Sequence, residues 1–205
     1  MHSAVGSGDY ALNIADAPII GDNDLLGIWS AQARTKGGLG AQFTFVRGGE
    51  VVATFGALVD FKYEINGNRL ITTSDEPGKA EQSTEVFAIE GNTLQLTIAI
   101  PQGPSVTRAL TRVGDPYPDV HPIIGAWRGP YPPTRGEAIT RYSRSGSGQL
   151  SVPFQTQTGS YRGGTAPRID FGASAGSVVT LRRDGDLLIT RNVEGKEGTF
   201  RRFEY

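Results

Sequence analysis

The tripeptide Gly27-Ile28-Trp29 recurs as Gly125-Ala126-Trp127, and these two tryptophans are the only ones in the chain. Each tripeptide follows a pair of branched apolar residues, Leu25-Leu26 in the first case and Ile123-Ile124 in the second. Each also precedes a stretch rich in alternating apolar and polar residues, the two-residue period that is typical of half-buried strands. The two tryptophans therefore mark the starts of two related halves.

Further landmarks follow the tryptophans in the same order in both halves. Tyr63 and Tyr161 keep the spacing of the tryptophans, and the turn at 90–92 corresponds to the turn at 184–186. The alternative explanation is that two β-rich stretches resemble each other by composition alone. A unit of roughly 85 to 90 residues is the size of a small domain rather than of a solenoid repeat. The sequence therefore predicts an N-terminal arm at 1–24, repeat 1 at 25–113, a proline-rich linker at 114–122 and repeat 2 at 123–205.

The strand pattern is clearer in repeat 1 than in repeat 2. Between Phe55 and Ile65 the odd positions are apolar and the even positions mostly polar, and Asn66-Gly67 is a hairpin turn signal. In repeat 2, Leu150, Val152 and Phe154 share a face that continues with Thr and Ser. This parity predicts a more polar inner surface in repeat 2, and the whole pattern predicts an all-β protein.

The composition excludes several classes of function. The chain has no cysteine, which rules out disulfides, thiolate metal sites and cysteine catalysis. Its formal net charge of −1 gives no reason to expect a nucleic-acid partner. No apolar stretch approaches the roughly 20 residues of a membrane span, and no signal peptide is visible at the N-terminus. The compartment stays open, because a signal peptide removed before Met1 would make the protein secreted or periplasmic rather than cytoplasmic.

No metal or cofactor site is expected. The two histidines, His2 and His121, do not have metal-ligand spacing. Asp184-Gly185-Asp186 lacks the remaining ligands of a calcium loop and is a better hairpin turn. The glycine-rich run at 159–164 is not followed by the Lys-Ser/Thr pair of a phosphate-binding loop.

Charge is unevenly distributed along the chain. Positive residues predominate in repeat 2, whereas acidic residues are concentrated in the arm and the linker. We therefore expect the arm or the linker to lie against repeat 2. Contacts of this kind between exposed charges contribute only about 0–1 kcal/mol each.

Closed up-and-down barrels are the economical fold for two meanders of about six to eight short strands, because closure leaves no sheet edge. The order of Gly27-x-Trp29 on a first strand, a β-meander and a late arginine resembles the compact bacterial lipocalin-like domains of the calycin superfamily. In that family the tryptophan plugs the barrel base and the late arginine packs over it. The resemblance implies two consecutive barrels with two sets of anchors: Trp29 with Arg108 or Arg112, and Trp127 with Arg201 or Arg202. One larger barrel built from both repeats is the alternative.

The resemblance also implies a function. A barrel mouth commonly holds one small apolar ligand, so we expect a non-catalytic protein that binds a small hydrophobic or anionic molecule. A barrel enzyme of the cyclase or isomerase type, acting on a hydrophobic small molecule, and a structural protein without a cavity are the alternatives. Asp60, Lys62 and Glu64 share a strand face that we interpret as solvated rather than as an acid–base cluster. The predicted ligand-binding residues are Tyr131, Arg128, Arg141, Tyr142, Arg191 and Tyr161.

Overall fold

The computed structural model of the chain describes residues 20–74, 81–100, 102–134, 136–172 and 178–205. The predicted all-β class is confirmed. The elements, in chain order, are a short helix α1 (Asp22–Leu25), β1 (Gly27–Ala31), β2 (Leu39–Val46), β3 (Glu50–Asn66), β4 (Arg69–Ser74), β5 (Gln82–Glu90), β6 (Thr93–Ile98), β7 (Val106–Val113), β8 (Gly125–Tyr131), a 3-10 turn (Pro132–Thr134), β9 (Gly136–Tyr142), β10 (Ser147–Arg162), β11 (Arg168–Asp170), β12 (Val178–Asp184), β13 (Leu187–Arg191) and β14 (Glu197–Phe203).

The 14 strands of the described residues form one closed, barrel-like ring of antiparallel pairs. Each strand pairs with its neighbours in the chain, and β1 closes the ring by pairing with β14. The first strand of repeat 1 therefore pairs with the last strand of repeat 2. This closure corresponds to the alternative of one ring assembled from both repeats, and neither repeat closes on itself among the described strands. The predicted linker at 114–122 connects β7 to β8, which are themselves paired.

The two longest strands, β3 and β10, also pair with each other across the ring. Their pairing runs from Glu50 opposite Ser160 to Lys62 opposite Ser147. At its centre, Gly56 lies opposite Pro153, and a Cβ at Gly56 would come within 2.0 Å of the Val152 carbonyl oxygen. Only glycine permits this close approach of two backbones.

A β-bulge interrupts β10 directly after Pro153. The register shifts between Pro153 and Gln155, which leaves Phe154 as the extra residue and exposes 53% of its surface. One inserted residue moves all the following side chains to the opposite face. The expectation that the face of Leu150, Val152 and Phe154 continues as Thr156, Thr158 and Ser160 is therefore wrong. Beyond the bulge it is Tyr161 that is buried.

The core of the ring consists of two separate clusters of apolar residues, and each cluster draws on both repeats. The buried members of cluster I are Ile20, Leu25, Trp29, Ala31, Phe43, Phe45, Val51, Tyr161, Ile169, Leu181, Leu188 and Phe200. Those of cluster II are Tyr63, Leu70, Leu94, Leu96, Leu110, Ile123, Ile124, Trp127 and Tyr142. Because β3 contributes Val51 to cluster I and Tyr63 to cluster II, the two cores are linked through one continuous strand.

The two tryptophans occupy equivalent places in the two clusters. Both are fully buried, at 0% exposure. The indole Nε1 of Trp29 donates a hydrogen bond to the carbonyl of Leu25 at 2.7 Å, and that of Trp127 donates to the carbonyl of Ile123 at 2.8 Å. The apolar pair before each tripeptide thus supplies the acceptor that a buried indole requires.

The arginine partners of the tryptophans are exchanged relative to the expectation. The guanidinium of Arg202 lies 4.7 Å from the ring centroid of Trp29, and that of Arg112 lies 4.1 Å from that of Trp127. The pairing of Trp29 with repeat 1 arginines and of Trp127 with repeat 2 arginines is therefore wrong. The reason is the strand order, because β14 lies beside β1 and β7 lies beside β8.

The described end of the N-terminal arm lies against repeat 2. Ile20 forms a β-bridge with Gly164, and the amide of Gly163 donates a hydrogen bond to the carboxylate of Asp22 at 2.5 Å. Besides these backbone contacts, the side chain of Arg202 donates to the carbonyl of Asp24, and Ile20 belongs to the same apolar cluster as Tyr161. Residues 1–19 of the predicted arm lie outside the described residues.

Candidate functional site

A groove of about 970 Å³ is lined by residues of β1, β3, β10 and β14 and of the turns beside them. Its lining combines basic, acidic, hydroxyl-bearing and aromatic side chains. The basic ones are Arg34, Lys62, Arg201 and Arg202, the acidic ones Asp60, Asp186 and Glu204, the hydroxyl-bearing ones Ser30, Ser145 and Ser147, and the aromatic ones Phe61 and Phe203.

A network of buried polar side chains forms the floor of the groove around Gln149. The Oε1 atom of Gln149 accepts hydrogen bonds from Ser30 Oγ at 3.0 Å and from Gln42 Nε2 at 2.8 Å. Its Nε2 atom donates to Asp60 Oδ1 at 2.8 Å. Gln42 and Gln149 are each only 3% exposed. Satisfied networks of this kind hold their members in fixed orientations, so the floor presents Ser30 and Asp60 in defined positions.

Asp60 is held from a second side by Arg34. The Nη2 atom of Arg34 lies 2.6 Å from Asp60 Oδ2, and its Nη1 atom donates to the carbonyl of Leu58 at 2.9 Å. The interpretation of Asp60 and Lys62 as parts of a purely solvated face missed this groove. The sequence holds no signal for it, because Asp60 meets Gln149 only through the pairing of β3 with β10.

Three serine hydroxyls meet at one edge of the groove, in the turn between β9 and β10. The Oγ atoms of Ser143 and Ser145 are 2.7 Å apart, and each lies 2.8 Å from the Oγ atom of Ser147. A hydroxyl both donates and accepts. The edge can therefore adapt its donors and acceptors to a polar ligand.

Charged residues of the groove have partners nearby. Besides the pair of Arg34 and Asp60, Arg201 Nε lies 3.7 Å from Asp186 Oδ2. Arg202 stacks on Trp29 and donates a hydrogen bond to the backbone carbonyl of Asp24. This compensation favours a polar ligand over a multiply charged one.

The structure does not bring the six predicted ligand-binding residues together. Tyr161 is buried in cluster I, whereas Tyr142 is buried in cluster II. Arg128 is exposed on β8 and lies 4.0 Å from Glu137. Tyr131 ends β8, the exposed Arg191 ends β13, and Arg141 is buried on β9. The groove lining contains none of the six, so their role in binding stays a prediction.

A second polar group faces cluster II. Arg108 Nη2 donates to both carboxylate oxygens of Glu85, at 2.9 and 3.0 Å. Arg108 lies opposite Leu96, and Glu85 lies opposite Leu70, so the pair shares the face of these core residues. The resemblance offered Arg108 as a tryptophan anchor, but its partner is this carboxylate.

Two tyrosines of cluster II have hydroxyls that stay protonated at neutral pH. Burial raises the pKa of Tyr63 to about 12, and its hydroxyl donates to the carbonyl of Ser143 at 2.6 Å. Burial also raises the pKa of Tyr142. Neither phenol is therefore suited to act as a base at neutral pH.

No protein-family model, characterised protein or solved structure matches the chain. Within the described ranges, no three His, Cys, Asp or Glu side chains are grouped so that they can hold a metal ion. The described helices are also too short to cross a bilayer.

Proposed function

We propose that this chain is a non-catalytic binding protein and that its small-molecule ligand lies in the groove. The observation that carries the proposal is the buried network of Ser30, Gln42 and Gln149 directly beneath the groove. Buried polar groups require satisfied hydrogen bonds, and this network satisfies them while it holds Asp60 at the groove surface. Binding sites combine such fixed polar groups with an apolar lining.

The lining favours an uncharged or singly charged ligand with several hydroxyl or amide groups. Phe61 and Phe203 supply apolar contact area, and the serine cluster supplies adaptable hydrogen bonds. Asp60 already accepts from Gln149 and pairs with Arg34, so it orients a ligand rather than removes a proton from one. This is the reason for preferring binding to catalysis.

We further propose that the ring is divided by the pairing of β3 with β10 into two lipocalin-like lobes. Lobe I comprises β1–β3 and β10–β14, and lobe II comprises β3–β10. Two separate clusters and the two equivalent Trp–Arg stacks support this division. In each lobe the arginine then lies on the strand next to the tryptophan strand. The repeats have exchanged strands, as in a domain swap within one chain.

The second candidate is the function that the lipocalin resemblance implies, with an apolar ligand inside lobe II. The observation in its favour is the pair of Glu85 and Arg108, which faces cluster II while the Arg108 side chain stays 41% exposed. An amphipathic ligand with an anionic end would find its apolar contacts and a cation on the same face.

Native mass spectrometry of the purified protein tests the proposal. We expect a bound small molecule on the wild type that is lost when the groove is filled by Ser145→Trp. The matched control is Ser160→Trp, an exposed serine at the far end of the β3–β10 pairing that does not line the groove. If the Ser145→Trp variant keeps the ligand and the Glu85→Ala variant loses it, the ligand binds inside lobe II instead. Absence of any ligand, from the cell or from a metabolite mixture, contradicts both candidates.

A further inference from the structure

Arg141 is a buried cation without an acid. It is 4% exposed, and neither its Nε nor its Nη1 atom has a hydrogen-bond partner among the described residues. No carboxylate of the described residues forms an ion pair with Arg141. Its side chain forms a hydrogen bond with the hydroxyl of Tyr205. Buried donors of a charged group that lack an acceptor destabilise the folded state, so this arrangement calls for an explanation.

The other arginines with a buried, orphaned nitrogen atom differ from Arg141. Arg112 and Arg202 also lack a partner for Nε, but both stack on a tryptophan ring, at 4.1 and 4.7 Å. The fold does not demand a cation at position 141 either. In repeat 1, Thr44 lies opposite the residue before Trp29, just as Arg141 lies opposite the residue before Trp127. Thr44 is therefore the counterpart of Arg141 in repeat 1. The guanidinium is therefore specific to repeat 2.

Arg141 borders the groove. It lies directly opposite Gln149 on the neighbouring strand β10, and such partners project to the same face of a sheet. Gln149 lines the groove. Phe203 and Glu204 line it as well, and they directly precede Tyr205, whose side chain contacts Arg141. The side chain of Tyr205 contacts the guanidinium of Arg141 and stacks on Tyr117 at 5.3 Å.

We propose that Arg141 binds an oxyanion group of the groove ligand, a carboxylate or a phosphate, and that the Tyr205 side chain moves aside to admit it. This inference rests on the proposed function, because it makes Arg141 the anchoring end of the same groove. The anion takes the place of the Tyr205 hydroxyl and satisfies the orphaned donors of the guanidinium. Charge-assisted hydrogen bonds of this kind are about twice as strong as neutral ones, which offsets the loss of the tyrosine contacts.

The first test follows the Nε–H signals of the arginines in ¹H–¹⁵N spectra of the wild-type protein, titrated separately with inorganic phosphate and with acetate. We expect a saturable shift of the Arg141 signal, while the signals of Arg112 and Arg202 stay in place. The anion that binds more tightly identifies the oxyanion class. The Arg141 signal is assigned by triple-resonance spectra of the wild type and checked by its loss in Arg141→Gln.

The second test compares variants. We expect Arg141→Gln to weaken binding of the better anion by roughly tenfold, the loss of one charge-assisted bond. The matched control Arg144→Gln removes the same charge from an exposed site three positions along the chain and should bind within about twofold of the wild type. Tyr205→Ala should bind about threefold more tightly, because no cover has to open.

Two results overturn the inference. One is an Arg141 signal that responds to neither anion in the wild type and in Tyr205→Ala, a readout that holds even if Arg141→Gln does not fold. The other is equal anion affinity of Arg141→Gln and Arg144→Gln. If mass spectrometry finds a groove ligand while Arg141 stays silent to both anions, this inference fails and the proposed function stands. If Arg141 binds anions but Ser145→Trp keeps its ligand, the groove assignment fails instead.

Discussion

Truncation of Trp127 tests whether the two clusters unfold as one unit. Loss of a fully buried tryptophan side chain costs about 3–5 kcal/mol. The Ile123 carbonyl also loses its donor at 2.8 Å, and Arg112 loses the ring 4.1 Å away. We therefore expect Trp127→Ala to lower the free energy of unfolding by about 5 kcal/mol and the melting temperature by roughly 10–20 °C.

The remaining tryptophan makes the assay specific. In Trp127→Ala the fluorescence of Trp29 reports only on cluster I, whereas circular dichroism reports on all strands. Because β3 contributes to both clusters and pairs with β10 from Glu50 to Lys62, we expect the urea midpoint of Trp29 fluorescence to fall together with that of circular dichroism. Trp127→Phe is the control, since it keeps an aromatic ring and loses mainly the hydrogen bond, at about 1–3 kcal/mol.

A Trp29 transition that stays at the wild-type midpoint would refute this reasoning. It would mean that cluster I is stable without cluster II, as two consecutive independent barrels would be. An unchanged melting temperature of Trp127→Ala would show, in addition, that this tryptophan does not support the core.

Three further predictions concern the strand crossing, the inner ion pair and alkaline pH. Gly56→Ala should cost about 3 kcal/mol or more in urea unfolding, because its Cβ would meet the Val152 carbonyl oxygen at 2.0 Å; a neutral result would mean that the two backbones separate easily. Glu85→Gln should cost about 1–3 kcal/mol in urea unfolding, because the buried carboxylate of Glu85 accepts charge-assisted hydrogen bonds from Arg108; an unchanged urea midpoint would mean that the pair does not stabilise the fold. Burial raises the pKa of Tyr63 to about 12, so the unfolded chain ionises first and stability falls as pH rises from about 10 to 12; Tyr63→Phe should flatten this fall, measured as urea midpoints at about pH 9 and pH 11.

The sequence was informative wherever a feature is local. Alternation and turn residues predicted an all-β chain, and the apolar pairs before Trp29 and Trp127 marked the places where each indole finds its acceptor. The partner of each strand over long range was not readable. The local sequence does not show whether Arg112 packs on Trp127 or on Trp29. The alternation of apolar and polar residues in its strand is the same in both cases and does not determine which strand pairs with it.

One bulge residue accounts for much of what the sequence left hidden. Phe154 lies in a strand of regular appearance, and only the preceding Pro153, which cannot donate to a ladder, hints at an irregularity. The bulge reverses the inward face of β10 at the crossing with β3, opposite Gly56. This crossing also brings Gln149 beside Asp60 and creates the floor of the groove. The candidate site therefore depends on the pairing of β3 with β10, and a chain with the same local pattern in two separate barrels would lack it.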